Sequence, residues 1–165
     1  MKETRQPFLL GLLAIASILG FSFYLQYVKD IFPCPLCEVQ RLTFSLIGCF
    51  FLIGTLLHRF RFIRFVLWCF ISLSSLLGVV LASKQVWIQI FPEAVKGVCG
   101  ASLMQLLHML PLSNVISQIF SGTSECTEKG WVFLYLNLAQ WSLILFIVFL
   151  LFSIYSFIRE CRYQK

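Results

Sequence analysis

Four long apolar stretches constrain this chain more than any other feature, because each matches the length that an α-helix needs to cross a bilayer. About 20 mostly apolar residues cover roughly 30 Å of hydrocarbon with the backbone hydrogen bonds closed inside the helix. The stretches are 8–28, 39–57, 65–82 and 131–158. The sequence therefore predicts an all-α integral membrane protein, a four-transmembrane-helix bundle formed by a single membrane domain, 1–165.

The composition agrees with this prediction. Hydrophobic residues make up 59% and charged residues 12% of the chain, and the mean hydropathy is +0.89. Too few charges remain to cover a water-facing surface, which excludes a disordered chain and an ordinary cytosolic enzyme. The first stretch also imitates a secretory signal around Ala14-Ile15-Ala16, but cleavage there would leave an apolar region of only six residues. We therefore expect a retained helix.

The positions of the basic residues predict the orientation. Both termini and the turn after the second stretch together hold eight Lys or Arg residues among 22, whereas the segments 29–41 and 84–130 hold five among 60. Basic flanks are retained in the cytoplasm. We therefore expect cytoplasmic termini and two outer loops, 29–38 and a long periplasmic loop, 83–130. The formal net charge of +6 reflects this topology and does not predict a nucleic-acid partner.

Four of the seven cysteines fall in the predicted outer segments: Cys34, Cys37, Cys99 and Cys126. The outer side is the oxidising compartment, where disulfides persist. Four cysteines permit three complete pairings, and the spacing favours Cys34 with Cys37 and Cys99 with Cys126.

The other three cysteines receive simpler predictions. Cys49 and Cys69 lie within predicted helices, where we expect small apolar residues packed between helices. Cys161 is predicted to be an ordinary cytoplasmic thiol, with juxtamembrane acylation as the alternative.

The motif Cys34-Pro35-Leu36-Cys37 indicates redox chemistry. Its ring is too small for chain entropy to explain it as a staple, so thiol exchange or metal ligation is the usual reason for such spacing. A structural zinc site needs four thiolate or imidazole ligands, and this side offers only His108 and two distant cysteines. We predict a redox pair and no metal site; a metal site and an inert bridge are the alternatives.

The position of Cys37 sharpens this prediction. Pro33 and Pro35 keep the approach extended, so Cys37 is expected in, or just before, the first turn of the second helix. The unpaired N–H groups and the positive end of the helix dipole there favour a thiolate. Arg41 follows one turn later on the same face. Its guanidinium can stabilise a thiolate and hydrogen-bond a quinone carbonyl, or it can serve as an interfacial anchor.

Residues 34–41, which read Cys-Pro-Leu-Cys-Glu-Val-Gln-Arg, resemble the C-x-L-C-x-x-Q/E-R signature of the DsbB family of disulfide bond formation proteins, quinone-dependent oxidants of bacterial membranes. Four spans and a second cysteine pair between the third and fourth are also similar to that family, as are the segments 110–112, 124–131 and 140–141. The resemblance covers nearly the whole chain. Some members carry a proline where this chain has Ala139, which leaves the start of the fourth helix open.

The resemblance implies a path for electrons. In that family the loop pair, here Cys99 and Cys126, oxidises a soluble thioredoxin-fold partner of the DsbA type, and Cys99 forms the mixed disulfide. Cys126 then passes electrons to the Cys34 and Cys37 pair. Cys37, with Arg41 beside it, donates to a bound quinone, either ubiquinone or menaquinone. The implied location is the bacterial inner membrane, with the redox cysteines on the periplasmic side.

Three alternatives stay open at this point. Cys99 and Cys126 enclose 26 residues, so a structural bridge there would stabilise the fold by about 3.5 kcal/mol. A quinone reductase of the vitamin K epoxide reductase type also has a C-x-x-C at a helix end, but that motif comes late in its chain, whereas here it begins at Cys34. A non-catalytic membrane assembly factor with structural disulfides is the third alternative.

Overall fold

The computed structural model describes three stretches of the chain and three single positions. They are residues 2–29, 34–92 and 132–162, with His108, Pro111 and Asn114. The predicted loop pair, Cys99 and Cys126, therefore lies outside the described residues.

Four helices dominate the described chain, and each is long and apolar enough to cross a membrane. The predicted four-helix membrane fold is thus confirmed. A short antiparallel hairpin precedes the last helix. In chain order the elements are α1 (Lys2–Val28), α2 (Pro35–Leu56), α3 (Arg61–Ile90), β1 (Val132–Phe133), β2 (Leu136–Asn137) and α4 (Leu138–Arg162).

Helices α1 and α2 begin earlier than the apolar stretches 8–28 and 39–57 predict. Helix α2 starts at Pro35, with Cys34 as the N-cap in an extended conformation, φ −69° and ψ 162°. Proline suits the first helical position because its missing N–H has no partner there in any case. Cys37 consequently lies in the first turn of α2, as predicted.

Helix α3 continues past its predicted end at residue 82 to Ile90, so the outer loop does not begin at residue 83. Hydropathy falls at Lys84, because hydropathy indicates which residues contact lipid and not which residues are buried in protein. Gln85 and Ile88 nevertheless lie inside the bundle, with 3% and 1% of their surfaces exposed, and their burial extends the helix. At 30 residues, α3 is about 45 Å long and carries Gln85 to the level of the cysteines.

Helix α4 begins at Leu138 and not at residue 131. Asn137 and Gln140 cap it reciprocally, since the side-chain oxygen of each accepts the backbone N–H of the other, at 2.9 and 3.0 Å. Before this cap, Leu134 and Tyr135 have positive φ values of 52° and 63° and turn the β hairpin. The prediction was wrong here because an apolar run alone does not distinguish a strand pair from a helix.

The helices pack in chain order, α1 on α2, α2 on α3 and α3 on α4. Helices α1 and α4 make at most slight contact along the described residues. Helices α1 and α4 therefore pack less closely against each other than each packs on its neighbour along the chain.

Aromatic rings fill the centre of the bundle. Phe44 of α2 stacks on Phe146 of α4 with ring centroids 3.9 Å apart, and Phe8 of α1 stacks on Trp68 of α3 at 4.5 Å. Gly78 of α3 lies directly under the Phe146 ring, and a Cβ there would overlap the ring. A glycine at this position lets α4 approach α3 closely enough for the Phe44 and Phe146 stack to form.

We expect Gly78→Ala to destabilise the bundle by about 1 to 3 kcal/mol, because the rigid ring of Phe146 has to move. Thermal unfolding in detergent measures the change. Gly20→Ala is the matched control, since a Cβ at Gly20 meets no atom within 4 Å. Equal midpoints for the two variants would contradict the close approach at Gly78.

Candidate functional site

The first cysteine pair lies at the start of α2. The Cys34 thiol donates a hydrogen bond to the Cys37 sulfur at 3.2 Å. An S–S bond is about 2.05 Å long, so the sulfurs need to approach by only about 1 Å to form a disulfide. Cys34 is buried, with 6% of its surface exposed, whereas Cys37 is half-buried. Cys37 is therefore the more accessible sulfur of the pair.

A chain of buried polar side chains reaches both sulfurs from α3. The Gln85 amide nitrogen lies 3.0 Å from the Cys37 sulfur and 3.6 Å from the Cys34 sulfur. The Gln85 oxygen accepts a hydrogen bond from the Gln40 amide at 2.6 Å. The Gln40 oxygen in turn accepts from the Ser142 hydroxyl at 2.7 Å. Helices α2, α3 and α4 are thereby joined next to the cysteine pair.

Arg41 is held by α1. Its Nη1 donates to the side-chain oxygen of Gln26, and its Nη2 donates to the Ser22 carbonyl oxygen at 3.0 Å. The guanidinium carbon lies 5.5 Å from the centre of the Phe23 ring, within the range of a cation–π contact. These contacts fix the guanidinium, which lines the same cavity as Cys37.

Cys37 and Arg41 share a cavity of about 480 Å³, which is large enough for a small organic ring. Most of its wall is apolar or aromatic. All four helices and the β hairpin contribute to that wall. Its residues are Ser17, Ile18, Leu19, Phe21, Ser22, Cys37, Gln40, Arg41, Phe44, Gln85, Phe133, Leu138, Ala139, Trp141, Ser142 and Leu145.

The cavity lies between α1 and α4. Residues 17–22 of α1 form one side, and residues 138–145 of α4 form the other. The hairpin forms part of the rim, where Trp141 donates to the Phe133 carbonyl oxygen at 3.1 Å and the two rings lie 6.3 Å apart. The cavity is partly open to the outside of the bundle.

The remaining cysteines lie away from this cavity. Cys49 and Cys69 are exposed, so the prediction that they pack between helices is wrong; they lie on the outer surface of the bundle. When a helix is apolar on all faces, its sequence does not indicate which face contacts lipid. Cys161 is half-buried near the end of α4. Among the residues described, no three His, Cys, Asp or Glu side chains are grouped so that they could hold a metal.

Sequence reasoning missed several residues of the site. Gln85 was assigned to the outer loop, and Gln40, Ser142 and Gln26 received no role. Their signal was present, because an uncharged polar side chain in an apolar membrane helix faces a protein partner or a cavity. The Asn137-x-x-Gln140 spacing likewise matches a helix-capping box.

Comparison with known proteins gives the family. The family model described as "Disulfide bond formation protein DsbB" matches residues 4–156. The chain belongs to the DsbB family. Disulfide bond formation protein B of Hahella chejuensis is 39% identical over 159 residues, which cover 96% of each chain. Disulfide bond formation protein B 1 of Pseudomonas aeruginosa is 37% identical over 163 residues, 97% of this chain and 98% of the relative.

Membership in the DsbB family makes this chain a membrane disulfide bond formation protein and a disulfide-forming oxidoreductase. It favours that function over a vitamin K epoxide reductase-like enzyme and over a non-catalytic assembly factor. A disulfide-forming protein also implies a partner that receives the disulfide. In the described part of the chain, the cavity lined by Cys37 and Arg41 brings together a thiol and a charged side chain, both of which disulfide chemistry can use.

The burial of the two sulfurs predicts unequal reactivity. In the dithiol form, Cys37 should be alkylated by a small maleimide several-fold faster than Cys34, because only Cys37 lines the cavity. Mass spectrometry of the labelled peptide, in Cys34→Ala and Cys37→Ala single variants, measures the two rates. Faster labelling of Cys34 would contradict the arrangement.

Proposed function

We propose that this protein is a thiol:quinone oxidoreductase of the bacterial inner membrane that reoxidises a soluble thioredoxin-fold partner of the DsbA type. The termini lie in the cytoplasm, and both cysteine pairs lie on the periplasmic side. One observation carries the proposal: Cys37 and Arg41 line one largely apolar, partly open cavity between α1 and α4. The count of Lys and Arg beside the helix ends supports the orientation.

The cavity fits a quinone by its chemistry. A quinone ring is flat and apolar, with carbonyl oxygens that accept hydrogen bonds, and its tail dissolves in lipid. Phe44 and Trp141 supply flat surfaces, Arg41 supplies N–H donors, and the gap between α1 and α4 leaves room for a tail. A quinone bound there supplies a sink for two electrons and two protons. Ubiquinone and menaquinone share the carbonyl that Arg41 would bind.

The cysteines carry out two exchanges that each conserve electrons. The partner's dithiol attacks the Cys99 and Cys126 disulfide, the mixed disulfide forms at Cys99, and the partner leaves oxidised. The reduced loop pair then attacks the Cys34 and Cys37 disulfide, which becomes a dithiol while the loop disulfide forms again. Each exchange moves two electrons and two protons towards Cys37.

Cys37 completes the cycle from the reduced state. Its place in the first turn of α2 and the Arg41 guanidinium on the same cavity wall favour the thiolate, which is the nucleophilic form. Cys34 lies 3.2 Å away and closes the disulfide as the electron pair leaves Cys37. Arg41, fixed by Ser22 and Gln26, stabilises negative charge at the acceptor side of the cavity.

We expect Cys37→Ser to abolish quinone reduction by the purified protein supplied with reduced partner, because no thiolate then faces the cavity. Absorbance of added ubiquinone-1 follows the reaction. Cys49→Ser is the matched control, since Cys49 lies on the outer surface and should keep full activity. Unchanged turnover in Cys37→Ser would overturn the proposed path.

Arg41→Lys should raise KM for quinone about tenfold, with a smaller change in kcat. A lysine keeps the charge but cannot reach Gln26, the Ser22 carbonyl and the acceptor together. Steady-state kinetics at saturating partner give the two constants. A KM equal to that of the unchanged protein would remove Arg41 from quinone binding.

The loop pair is tested by trapping. In Cys126→Ser, the Cys99 thiolate should attack the disulfide of the oxidised partner, and the mixed disulfide should accumulate because the Cys126 thiol that would displace the partner is missing. Non-reducing electrophoresis of membranes followed by mass spectrometry identifies the linked protein. Cys99→Ser is the control and should trap nothing; equal trapping in both variants would contradict the assigned order.

A further inference from the structure

The hydrogen bonds that run from Ser142 through Gln40 and Gln85 to the cysteine sulfurs all have the same direction. The Ser142 hydroxyl shares its proton between the Gln40 oxygen at 2.7 Å and the Ala139 carbonyl oxygen at 2.9 Å. The Gln40 nitrogen donates to the Gln85 oxygen, and the Gln85 nitrogen faces the two sulfurs. Gln40 and Gln85 are 4% and 3% exposed, so water does not compete strongly for these groups. Hydrogen bonds aligned in this way polarise one another.

The direction of the chain decides which end of the Gln85 amide meets sulfur. An amide can present either its oxygen or its nitrogen, and a reversed Gln85 would point an acceptor at the cysteines. The Gln85 oxygen is engaged by the Gln40 nitrogen at 2.6 Å, which turns the Gln85 NH₂ group towards Cys37 at 3.0 Å and Cys34 at 3.6 Å. Two N–H donors on one nitrogen thus serve two sulfurs.

We infer that Gln85 stabilises the Cys37 thiolate directly, and that Gln40 and Ser142 are positioning residues that keep the Gln85 amide in its donating orientation. A donor to a sulfur favours the thiolate over the disulfide, since a thiolate accepts a stronger hydrogen bond than a disulfide sulfur does. The amide network therefore makes the Cys34 and Cys37 disulfide easier to reduce.

Gln85 does this without adding a charge to the membrane. The Cys34 thiol at the N-cap of α2 lies 3.2 Å from the Cys37 sulfur, and the Arg41 guanidinium lines the same cavity as Cys37. Glu38 and Tyr27 interact electrostatically with Arg41. Helices α3 and α4 contribute the uncharged Gln85 and Ser142. Arg41 supplies charge from the α1 side, and the amide chain supplies oriented dipoles from the α3 side.

The inference rests on the proposed redox role of Cys34 and Cys37, and it is tested without quinone or partner. The protein is the full chain with Cys99→Ser, Cys126→Ser and serine at Cys49, Cys69 and Cys161, so that Cys34 and Cys37 are the only thiols left. Equilibration with reduced and oxidised glutathione, followed by acid trapping and alkylation, gives the equilibrium constant for reduction of the pair. The rate of iodoacetamide alkylation of Cys37 at neutral pH is the second measurement.

Gln85→Met should lower the equilibrium constant for reduction about tenfold, which is about 30 mV for a two-electron couple, and should slow alkylation of Cys37. Gln40→Met and Ser142→Ala should shift both values in the same direction by a smaller factor, because the donor remains but loses its fixed orientation. Gln89→Met is the matched control. Gln89 lies one turn further along α3, bonds Asn137 at 2.8 Å, and should leave both values unchanged.

The outcomes separate the two proposals. If Cys34 and Cys37 fail to titrate with glutathione in the test protein that keeps Gln85, the redox role itself is wrong. If the pair titrates but Gln85→Met behaves like Gln89→Met, the redox role stands and the role of Gln85 is overturned. Should Gln85→Met fail to fold, Gln40→Met decides the matter, since it removes the same orientation without touching the sulfurs.

Discussion

A guanidinium inside an apolar helix bundle is the constraint on which the rest of this site depends. Such a charge is costly in hydrocarbon unless fixed acceptors surround it. Here α1 provides the Ser22 carbonyl, the Gln26 side chain and the face of Phe23. Arg41 in turn holds the outer half of α1 beside α2. Helix α1 packs on α2 and hardly on α4. A cavity lies between α1 and α4, and Cys37 lies on its wall.

The two sides of the cysteine pair are treated differently. On the side that faces α1, the Arg41 guanidinium provides a fixed positive charge. This charge acts over several ångströms and favours negative charge on the sulfur and on a molecule bound in the cavity. The α3 side presents a neutral amide in direct contact with sulfur, and this contact acts only at hydrogen-bond distance. In the proposed redox role, the Arg41 guanidinium and the Gln85 amide together favour a thiolate at Cys37, and the amide does so without adding a charge.

The sequence was sufficient to predict the helices that contact lipid and the arrangement of the motif from Cys34 to Arg41. Apolar length predicted four helices, and the spacing from Cys37 to Arg41 placed both on one face of α2. It was insufficient wherever burial in protein replaced contact with lipid. Gln85 looks like a loop residue by hydropathy, but its partners Gln40 and Cys37 on α2 hold it inside the bundle. The start of α4 at Leu138 depends on a side-chain cap, which an apolar average does not detect.

Photoaffinity labelling with an azido-ubiquinone tests most directly whether the cavity beside Cys37 and Arg41 receives the electron acceptor. The purified protein is illuminated with the probe, with and without excess unlabelled quinone, and the labelled peptides are sequenced by mass spectrometry. The account predicts competed label on residues 17–22 of α1 and 138–145 of α4, which face each other across the cavity. Competed label confined to the outer faces that carry Cys49 and Cys69 would contradict it.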